Sequence, residues 1–289
     1  MYSQVPQAPP AVLAIAASDP SGGAGIQADL LTLASMGCHP LSVLTAITIQ
    51  NTSGVEELLP LDPDWVADQA RCILEDVPVA AFKVGVLGSV EIASAIAEVI
   101  ADYPDIPLIL DPVLASGRGD ELAGEELIEA MREMLIPQTT ILTPNTMELR
   151  RLVEEDGFDL AEETVLDAGA MARSLIGLGC EYVLLTGTHA ATPEVINILY
   201  HSDGEFRRDA WPRLPGSYHG SGCTLASAVA ATLARGLDIG DAVREAQEYT
   251  WQTLKSGYRI GMGQHLPDRL FWARETADEL DDPDARGAK

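Results

Sequence analysis

The sequence predicts an α/β protein in which helices flank a mostly parallel sheet. Short β-branched or apolar runs alternate with longer amphipathic runs, which is the pattern of βα units that build such a sheet. The chain has 289 residues, of which 47% are hydrophobic and 21% charged, an ordinary globular balance that allows a sizeable buried core. No linker, repeat or low-complexity tract divides its middle, so one large domain is expected.

The predicted strands are short runs rich in Val, Ile, Leu and Thr. In chain order they are 11–17, 41–49, 79–84, 107–111, 139–143 and 181–186, followed by an antiparallel pair near 195–201 and 206–211. Residues 55–61 follow the turn-rich stretch 51–54 and are expected to form a small strand or a flap. Residues 30–55 lack Asp, Glu, Lys and Arg, but glycine, proline and polar residues interrupt them, which favours a buried helix and strand over a membrane span.

The predicted helices lie between these strands. They cover 26–36, 62–76, 89–102, 164–178 and 239–256, together with an apolar run at 225–233. Asp62, Ser89 and Asp238 precede three of them and are typical N-cap residues, and Pro63 suits a first helical turn.

The charge balance excludes some classes of partner. Lys and Arg number 18 against 44 Asp and Glu, which gives a net charge of −26, so the surface repels nucleic acid and anionic membranes. Only Lys83, Lys255 and Lys289 are lysines. A bound phosphate would therefore be held largely by backbone N–H groups, a metal ion and a few arginines.

The cysteines and the chain ends predict where the protein works and how it is divided. The four cysteines show no C-x-x-C pair or zinc spacing, so we expect a reducing compartment, the cytoplasm. Residues 1–10 lack the features of a signal peptide and are expected to be a disordered leader. Residues 11–270 are expected to form the single domain, and 271–289 a flexible acidic tail.

Two glycine-rich segments follow predicted strands or precede helices. Residues 18–25 (SDPSGGAG) follow the first strand, where the backbone could approach a ligand or simply turn tightly. Residues 220–224 (GSGCT) precede the apolar run, where amide groups at a helix start favour negative charge. Such a position is expected to lower the pKa of Cys223 and make it a base or nucleophile, although a small buried cysteine in a packed turn is the alternative.

Polar side chains at other strand ends complete the candidate site. Asp111, Glu148 and Asn145 suit a magnesium ion that also contacts phosphates, although each acid could equally be a helix cap or a surface charge. Gln50 could read the edge of a polar heterocycle or belong to a turn. His219 adjoins the second glycine segment and could tune its charge or be an ordinary turn histidine.

Six segments together resemble one known family: SDPSGGAGIQADL, TAITIQNT, KVGVLGS, LDPVL, TPNTME and GSGCTLASA. They are similar to the hydroxymethylpyrimidine and phosphomethylpyrimidine kinases of thiamine biosynthesis, which are members of the ribokinase superfamily. The resemblance covers about residues 12–266. It implies a three-layer α/β/α ribokinase-like fold with a small flap, a homodimer, and two successive phosphorylations of a 4-amino-5-hydroxymethyl-2-methylpyrimidine that use ATP and Mg²⁺.

The resemblance also implies roles for individual residues. Cys223 matches the family's catalytic base, and the anion hole matches Gly220, Ser221 and Gly222. The substrate-binding positions are Asp19, Gly25, Asp29, Gln50 and Val86. The ATP-binding positions are Asp111, Asn145, Glu148, Thr186 and Gly187, of which Asp111 and Glu148 would organise the metal.

One departure from the family stands at Thr186. Many relatives have Lys-Gly-Gly-His where this chain has TGTH at 186–189, and a hydroxyl cannot supply the missing positive charge. Either magnesium and an arginine such as Arg118 compensate for the missing charge, or the rate of phosphoryl transfer is lower. We interpret the change as a subtype of the family.

Two other functions stay open from the sequence. Pyridoxal or pyridoxamine kinases share the fold and the position of the thiol. A non-catalytic pyrimidine-binding regulator would keep the pocket without phosphate chemistry, which the Thr186 departure allows and the presence of Cys223, Asp111 and Glu148 opposes.

Overall fold

An eight-stranded sheet forms the middle of three layers in a computed structural model that describes residues 8–115, 119, 122–154, 168–187 and 192–274. The strands lie in the order β10-β9-β8-β7-β6-β5-β1-β2. Neighbours from β2 to β8 run parallel, whereas β9 is antiparallel to both β8 and β10. The predicted α/β/α architecture with a mostly parallel sheet is confirmed.

The strands are short, and those in the centre of the sheet are the most buried. All six residues of β1 are buried, as expected for a strand covered on both faces. The strand bounds are β1 Ala11–Ala16, β2 His39–Leu44, β3 Ala46–Asn51, β4 Gly54–Pro60, β5 Val79–Val84, β6 Leu108–Leu110, β7 Ile141–Leu142, β8 Tyr182–Leu185, β9 Glu194–His201 and β10 Gly204–Pro212.

Helices pack on both faces of the sheet over two separate cores. One core includes residues of α1, α7 and α8, and the other residues of α2 to α6. The helix bounds are α1 Gly25–Ser35, α2 Pro63–Asp76, α3 Val90–Ala101, α4 Glu125–Ala130, α5 Thr146–Val153, α6 Ala168–Gly177, α7 Ser221–Ala234 and α8 Ile239–Lys255. Helix α4 continues through a π-helical turn, Met131–Leu135, into a 3-10 turn, Ile136–Gln138.

The predicted helix starts are confirmed where cap residues marked them. Asp62 accepts hydrogen bonds from the first-turn amides of α2, Ser89 from the Ile92 amide of α3, and Asp238 from the Asp241 amide of α8. Each cap satisfies an N–H group that has no partner inside its helix. The first residues of the predicted helix 164–178 lie outside the described residues. Within the described residues, the helix covers Ala168–Gly177.

The prediction of a single strand over 41–49 is wrong. The chain leaves the sheet at Thr45, and the residues after it pair antiparallel with β4, which makes β3 and β4 a two-stranded flap. Thr45 is fully buried, and its hydroxyl donates to the Val86 carbonyl oxygen at 2.7 Å. Because β2 and β3 have the same apolar composition with no turn residue between them, composition alone does not show the break.

The topology brings the candidate residues to one edge of the sheet. The parallel strands all end at the same edge, which carries residues 17–25, 85–88, 111–115, 143–145 and 186–187. Ligands in open α/β folds bind at this edge. Within the described residues, no helix is long and apolar enough to cross a membrane.

Candidate active site

Asp19 organises the loop that follows β1. One carboxylate oxygen accepts the Ser21 amide at 2.9 Å, and the other accepts the Ala24 amide at 2.6 Å and the Ser21 hydroxyl at 3.0 Å. Burial alone would raise the pKa of Asp19, but these bonds and one from His219 hold the pKa below its usual value. The side chain is 1% exposed, so it shapes the loop, and its direct contact with a substrate stays a prediction.

The two glycine-rich segments pack directly against each other. A Cβ atom at Gly220 would stand 1.9 Å from the Gly23 carbonyl oxygen, and one at Gly25 would stand 2.5 Å from the Ala17 carbonyl oxygen. Both glycines also have positive φ angles, 77° and 58°, which side chains of L-residues disfavour. Glycine is therefore required for the loop after β1 to lie against the start of α7.

The start of α7 presents free amide groups. Gly220 is its N-cap and no side chain of the described residues caps the helix, whereas the Thr224 amide already donates to the Gly220 carbonyl. The N–H groups of Ser221, Gly222 and Cys223 have no partner within the helix. An anion at this point would be held by backbone N–H groups and the helix dipole.

Cys223 lies where this helix start meets Asp111 and the loop after β1. Its side chain is half-buried, and the Asp111 carboxylate and the Gly25 amide both influence its titration. Burial raises the pKa of Cys223 to about 12, with Asp111 and Asp29 adding to the effect and Lys83 opposing it. The expectation of a lowered pKa is wrong, because burial and two carboxylates outweigh the helix terminus and one ammonium group.

A buried ion pair lies beneath the thiol. Lys83 on β5 has no exposed surface, and its Nζ lies 2.9 Å and 3.0 Å from the two carboxylate oxygens of Asp29 on α1. The Ser227 hydroxyl on α7 donates to Asp29 Oδ1 at 2.7 Å. Asp29 is itself fully buried, so a direct contact with a substrate would require these bonds to rearrange, and that contact stays a prediction.

Asp111, directly after β6, and Glu148, in the first turn of α5, are two interacting carboxyl groups. Burial raises the pKa of Asp111 to about 6, with Lys83 opposing the shift at a distance of 3.9 Å from Oδ2. Burial, together with the charge of Asp111, raises the pKa of Glu148 to about 8. Asp111 Oδ2 has no hydrogen-bond partner among the described residues. Within the same part of the chain, no three His, Cys, Asp or Glu side chains are grouped to hold a metal ion.

Asn145 and Glu148 also start helix α5. The Asn145 side chain accepts the amides of Met147 and Glu148, and Glu148 accepts the Asn145 amide, which forms a capping box. The sequence left open whether Glu148 helps to cap a helix, and the capping box confirms that it does. Capping does not prevent a further role in ligand binding. Asn145 forms an isolated parallel bridge with Thr186, and the Gly187 amide donates to Asn197 Oδ1 at 3.0 Å.

Gln50 lies on the flap and Val86 lies in the loop after β5. The Gln50 amide lies 3.0 Å from His219 Nε2, which lies 2.8 Å from Asp19 Oδ2. His219 therefore joins the flap to the loop after β1. Val86 is half-buried, and its carbonyl accepts the Thr45 hydroxyl at the base of the flap. Arg118 lies outside the described residues, as do residues 188–189.

Sequence reasoning missed two buried cations, Lys83 and Arg269. Arg269 is 4% exposed and donates to the carbonyls of Gly22 and Gly23. Lys83 does carry a signal, because it stands in the apolar strand VAAFKV of a chain with three lysines, and a buried lysine needs a carboxylate partner. Arg269 carries no local signal, since its partners lie far away in sequence.

Comparison with known proteins places this site in a family. The model of the family described as phosphomethylpyrimidine kinase matches residues 19–268, which include every candidate site residue. The chain belongs to the phosphomethylpyrimidine kinase family. It is 40% identical over 259 residues to the hydroxymethylpyrimidine/phosphomethylpyrimidine kinase of Streptomyces coelicolor, covering 89% of this chain and 93% of the relative. It is 36% identical over 260 residues to the enzyme of the same name from Escherichia coli, covering 88% and 96%.

Solved structures agree with this membership. Phosphomethylpyrimidine kinase from Clostridium difficile superimposes with a TM-score of 0.72 at 34% identity, covering 85% of this chain and 99% of the other. Pyridoxal kinase from Staphylococcus aureus in complex with AMP-PCP and pyridoxal superimposes with a TM-score of 0.81 at 28% identity, covering 93% and 96%. The fold of this phosphomethylpyrimidine kinase family member is therefore shared with pyridoxal kinases.

The Lys83 ion pair predicts a large loss of stability when one charge is removed. Lys83→Met leaves the Asp29 carboxylate buried without a cation, so we expect the free energy of unfolding to fall by about 3–5 kcal/mol. Adding Asp29→Asn should restore much of the loss, because no buried charge of that pair is then left alone. Urea denaturation followed by circular dichroism measures both. Lys255→Met, at an exposed lysine, is the control, and a loss below about 1 kcal/mol in Lys83→Met would contradict the assignment.

The raised pKa of Glu148 predicts that stability falls as pH rises from about 4.5 to about 8. In that window the unfolded chain releases the proton while the folded protein retains it, so the folded state loses stability relative to the unfolded state. Glu148→Gln keeps the acceptor of the capping box and removes this titration. We expect the variant to match the wild type at about pH 5 and to have a higher Tm at about pH 8.5. Glu154→Gln, at an exposed acid at the opposite end of the same helix, should leave the difference between the two pH values unchanged.

Proposed function

We propose that this protein phosphorylates 4-amino-5-hydroxymethyl-2-methylpyrimidine and then its monophosphate, with ATP as the phosphoryl donor, in thiamine biosynthesis. It is an ATP-dependent small-molecule kinase of the phosphomethylpyrimidine kinase family. The observation that carries the proposal is the meeting of an uncapped helix start, the Cys223 thiol and the Asp111 carboxylate at one sheet edge. That arrangement fits phosphoryl transfer, in which the protein chiefly positions groups and neutralises charge.

In this proposal the pyrimidine binds between the loop 19–25, Gln50 and Val86. The Gln50 side chain is half-buried and is held by His219, so its amide is fixed before a ligand arrives, which lowers the entropic cost of binding. An amide offers both a donor and an acceptor to the edge of a heterocycle. The hydroxymethyl group would then point towards Cys223 and the start of α7.

The amides of Ser221, Gly222 and Cys223 would receive the negative charge that develops on the phosphoryl group. They are fixed by the α7 backbone and by the packing of Gly220 on Gly23, so they need no reorganisation during the reaction. On the other side of the site, we assign the nucleotide to Asn145, Thr186 and Gly187. The Gly187 position is tightly enclosed, since a Cβ atom there would stand 2.2 Å from the Ile196 carbonyl oxygen.

The residues present fit a magnesium ion. Asp111 Oδ2 is buried without a hydrogen-bond partner among the described residues, and burial with a like-charged neighbour raises the pKa values of both Asp111 and Glu148. A divalent cation would relieve both effects, and oxygen ligands of this kind suit Mg²⁺ shared with phosphates. Asp111 and Glu148 would hold the ion, which supplies neutralisation of phosphate charge when bound.

Cys223 is proposed as the group that takes the hydroxyl proton in the first phosphorylation. The substrate oxygen attacks the γ-phosphorus, the bond from that phosphorus to the ADP oxygen breaks, and the hydroxyl proton passes to the sulfur. With a pKa of about 12 the thiol is protonated at neutral pH, so it must first lose its own proton, for which Asp111 is the adjacent acceptor. In the second phosphorylation the acceptor is an already ionised phosphate oxygen, which needs no base.

We further propose a cytoplasmic homodimer with one kinase domain over residues 11–270. All four cysteines are free thiols, which suits a reducing compartment. The flap exposes Ile47, Ile49 and Leu59, apolar side chains of the kind that contact surfaces use. The net charge of −26 argues against nucleic acid and anionic membranes as partners. The leader and the acidic tail lie mostly outside the described residues.

The substrate assignment predicts the order of activity on three acceptors. The purified protein, supplied with ATP and Mg²⁺, should phosphorylate hydroxymethylpyrimidine and its monophosphate with a kcat/KM at least about tenfold higher than that for pyridoxal. Release of ADP in a coupled assay measures all three at matched concentrations. Faster turnover of pyridoxal would instead make the protein a pyridoxal kinase, and phosphorylation of none of the three would favour a binding protein.

The role of Cys223 predicts an asymmetry between the two steps. Cys223→Ala should lower kcat for hydroxymethylpyrimidine by about 10²-fold, the usual contribution of a general base, and kcat for the monophosphate by less than about tenfold. Both rates can be measured on one preparation. Cys72→Ala, at an exposed cysteine on α2, is the matched control and should change neither. Equal losses in both steps would show that Cys223 is not the base.

A further inference from the structure

Arg269 connects the two halves of the candidate active site from behind. Its Nη2 donates to the Gly23 carbonyl at 2.5 Å and its Nη1 to the Gly22 carbonyl at 3.3 Å, whereas Nε donates to Thr224 Oγ1 at 3.1 Å. Thr224 Oγ1 in turn donates to the Gly220 carbonyl at 2.7 Å. One guanidinium group therefore spans the loop after β1 and the first turn of α7.

The backbone at Arg269 is held firmly in place. Its carbonyl accepts the Ser35 hydroxyl at the end of α1 at 2.6 Å and the Tyr249 hydroxyl on α8 at 2.8 Å. The preceding residue, Asp268, donates its amide to the Thr253 carbonyl on α8 at 2.9 Å. The side chain thus reaches the site from a segment that is anchored to two helices.

The guanidinium of Arg269 is buried without an ion pair in the described part of the chain. It is 4% exposed, and its hydrogen-bond partners are two carbonyls and a hydroxyl. Burial lowers the pKa of Arg269, while Cys223 is the strongest of the neighbours that favour its charge. A buried charge that lacks a carboxylate partner is costly for stability, so a positive charge so near to the thiol calls for a functional explanation.

We propose that Arg269 is a positioning residue of the kinase reaction, which clamps Gly22 and Gly23 to the start of α7 and sets a fixed positive charge behind the amides of Ser221 to Cys223. A phosphoryl group at those amides would then be met by a cation, in a chain that has Thr186 where many relatives place a lysine. The kinetic part of this inference rests on the proposed function. The electrostatic part concerns the protein without ligands and does not depend on the proposed function.

Alkylation of Cys223 by an anionic and a neutral reagent tests the fixed charge. Iodoacetate and iodoacetamide attack the same thiolate, so the ratio of their rates is independent of how much thiolate is present and reports the local potential. Peptide mass spectrometry resolves Cys223 from Cys72, which is exposed on α2 and serves as an internal reference. We expect the iodoacetate to iodoacetamide ratio at Cys223 to fall about fivefold in Arg269→Gln, the effect of one charge at short range.

Matched variants separate the charge from general effects. Arg235→Gln removes the same charge from an exposed side chain at the far end of α7 and should leave the ratio at Cys223 within about twofold of the wild type. The glutamine retains an N–H donor for one carbonyl, which favours folding, and Arg269→Lys retains the charge in a smaller group. A ratio in Arg269→Gln that stays within twofold of the wild type, or an equal fall in Arg235→Gln, would overturn the electrostatic part.

The clamp is tested by the kinetics of Arg269→Lys. A single ammonium group cannot hold both glycine carbonyls and Thr224 as the planar fork does. We therefore expect a wild-type alkylation ratio, a kcat about tenfold lower and a KM for ATP within about twofold of the wild type. A wild-type kcat would overturn the clamp. If the wild-type protein phosphorylates no pyrimidine, the proposed function is refuted. The change in the alkylation ratio between the wild type and Arg269→Gln would still test the fixed positive charge.

Discussion

A lysine ammonium inside a parallel sheet is tolerated only when carboxylates surround it, and this requirement ties four elements of the fold together. Lys83 on β5 is paired with Asp29 on α1 and lies 3.9 Å from Asp111 at the end of β6, while Ser227 on α7 completes the bonds of Asp29. Ser227 lies one turn after Cys223, so the ion pair also sets where the thiol stands. The positions of β5, α1 and α7 relative to one another are thereby fixed by the ion pair as well as by apolar packing.

The same charges set the chemical character of the site. The charges of Asp111, Lys83 and Arg269 act on the thiol, and Glu148 interacts with Asp111, in a protein whose net charge is −26. The two carboxyl groups make a place that a divalent cation would stabilise, whereas Arg269 donates to the loop after β1 and to the first turn of α7. Groups of both signs therefore lie close to the helix start, which suits the proposed transfer of a charged group.

The sequence was sufficient where a local rule decides the structure. Cap residues such as Asp62, Ser89 and Asp238 mark helix starts because they satisfy adjacent amides, and parallel strand ends necessarily share an edge, which gathers Asp111 and Asn145. It was insufficient where distant parts meet. The break at Thr45 depends on pairing with β4, the high pKa of Cys223 depends on Asp29 and Asp111, and Arg269 reaches Gly23 across 246 residues. No local pattern records such contacts, because each depends on the assembled fold.

Hydrogen-bond logic determines how Gln50 faces the site. His219 Nε2 lies 2.8 Å from Asp19 Oδ2, and an ionised carboxylate only accepts, so this nitrogen carries a proton and donates. The atom of the Gln50 amide placed 3.0 Å away is its nitrogen, and two N–H groups that face each other repel, so the amide is turned by 180° to direct its oxygen to His219. The amide nitrogen consequently faces Thr48 Oγ1, which accepts from it while donating its own hydrogen to the Ser18 carbonyl at 2.8 Å. Every donor then meets an acceptor, and the amide retains one N–H and one lone pair for a heterocycle edge. In the proposed binding mode His219 would thereby set which group of the amide faces the heterocycle, and the loop after β1 would orient a side chain that belongs to the flap.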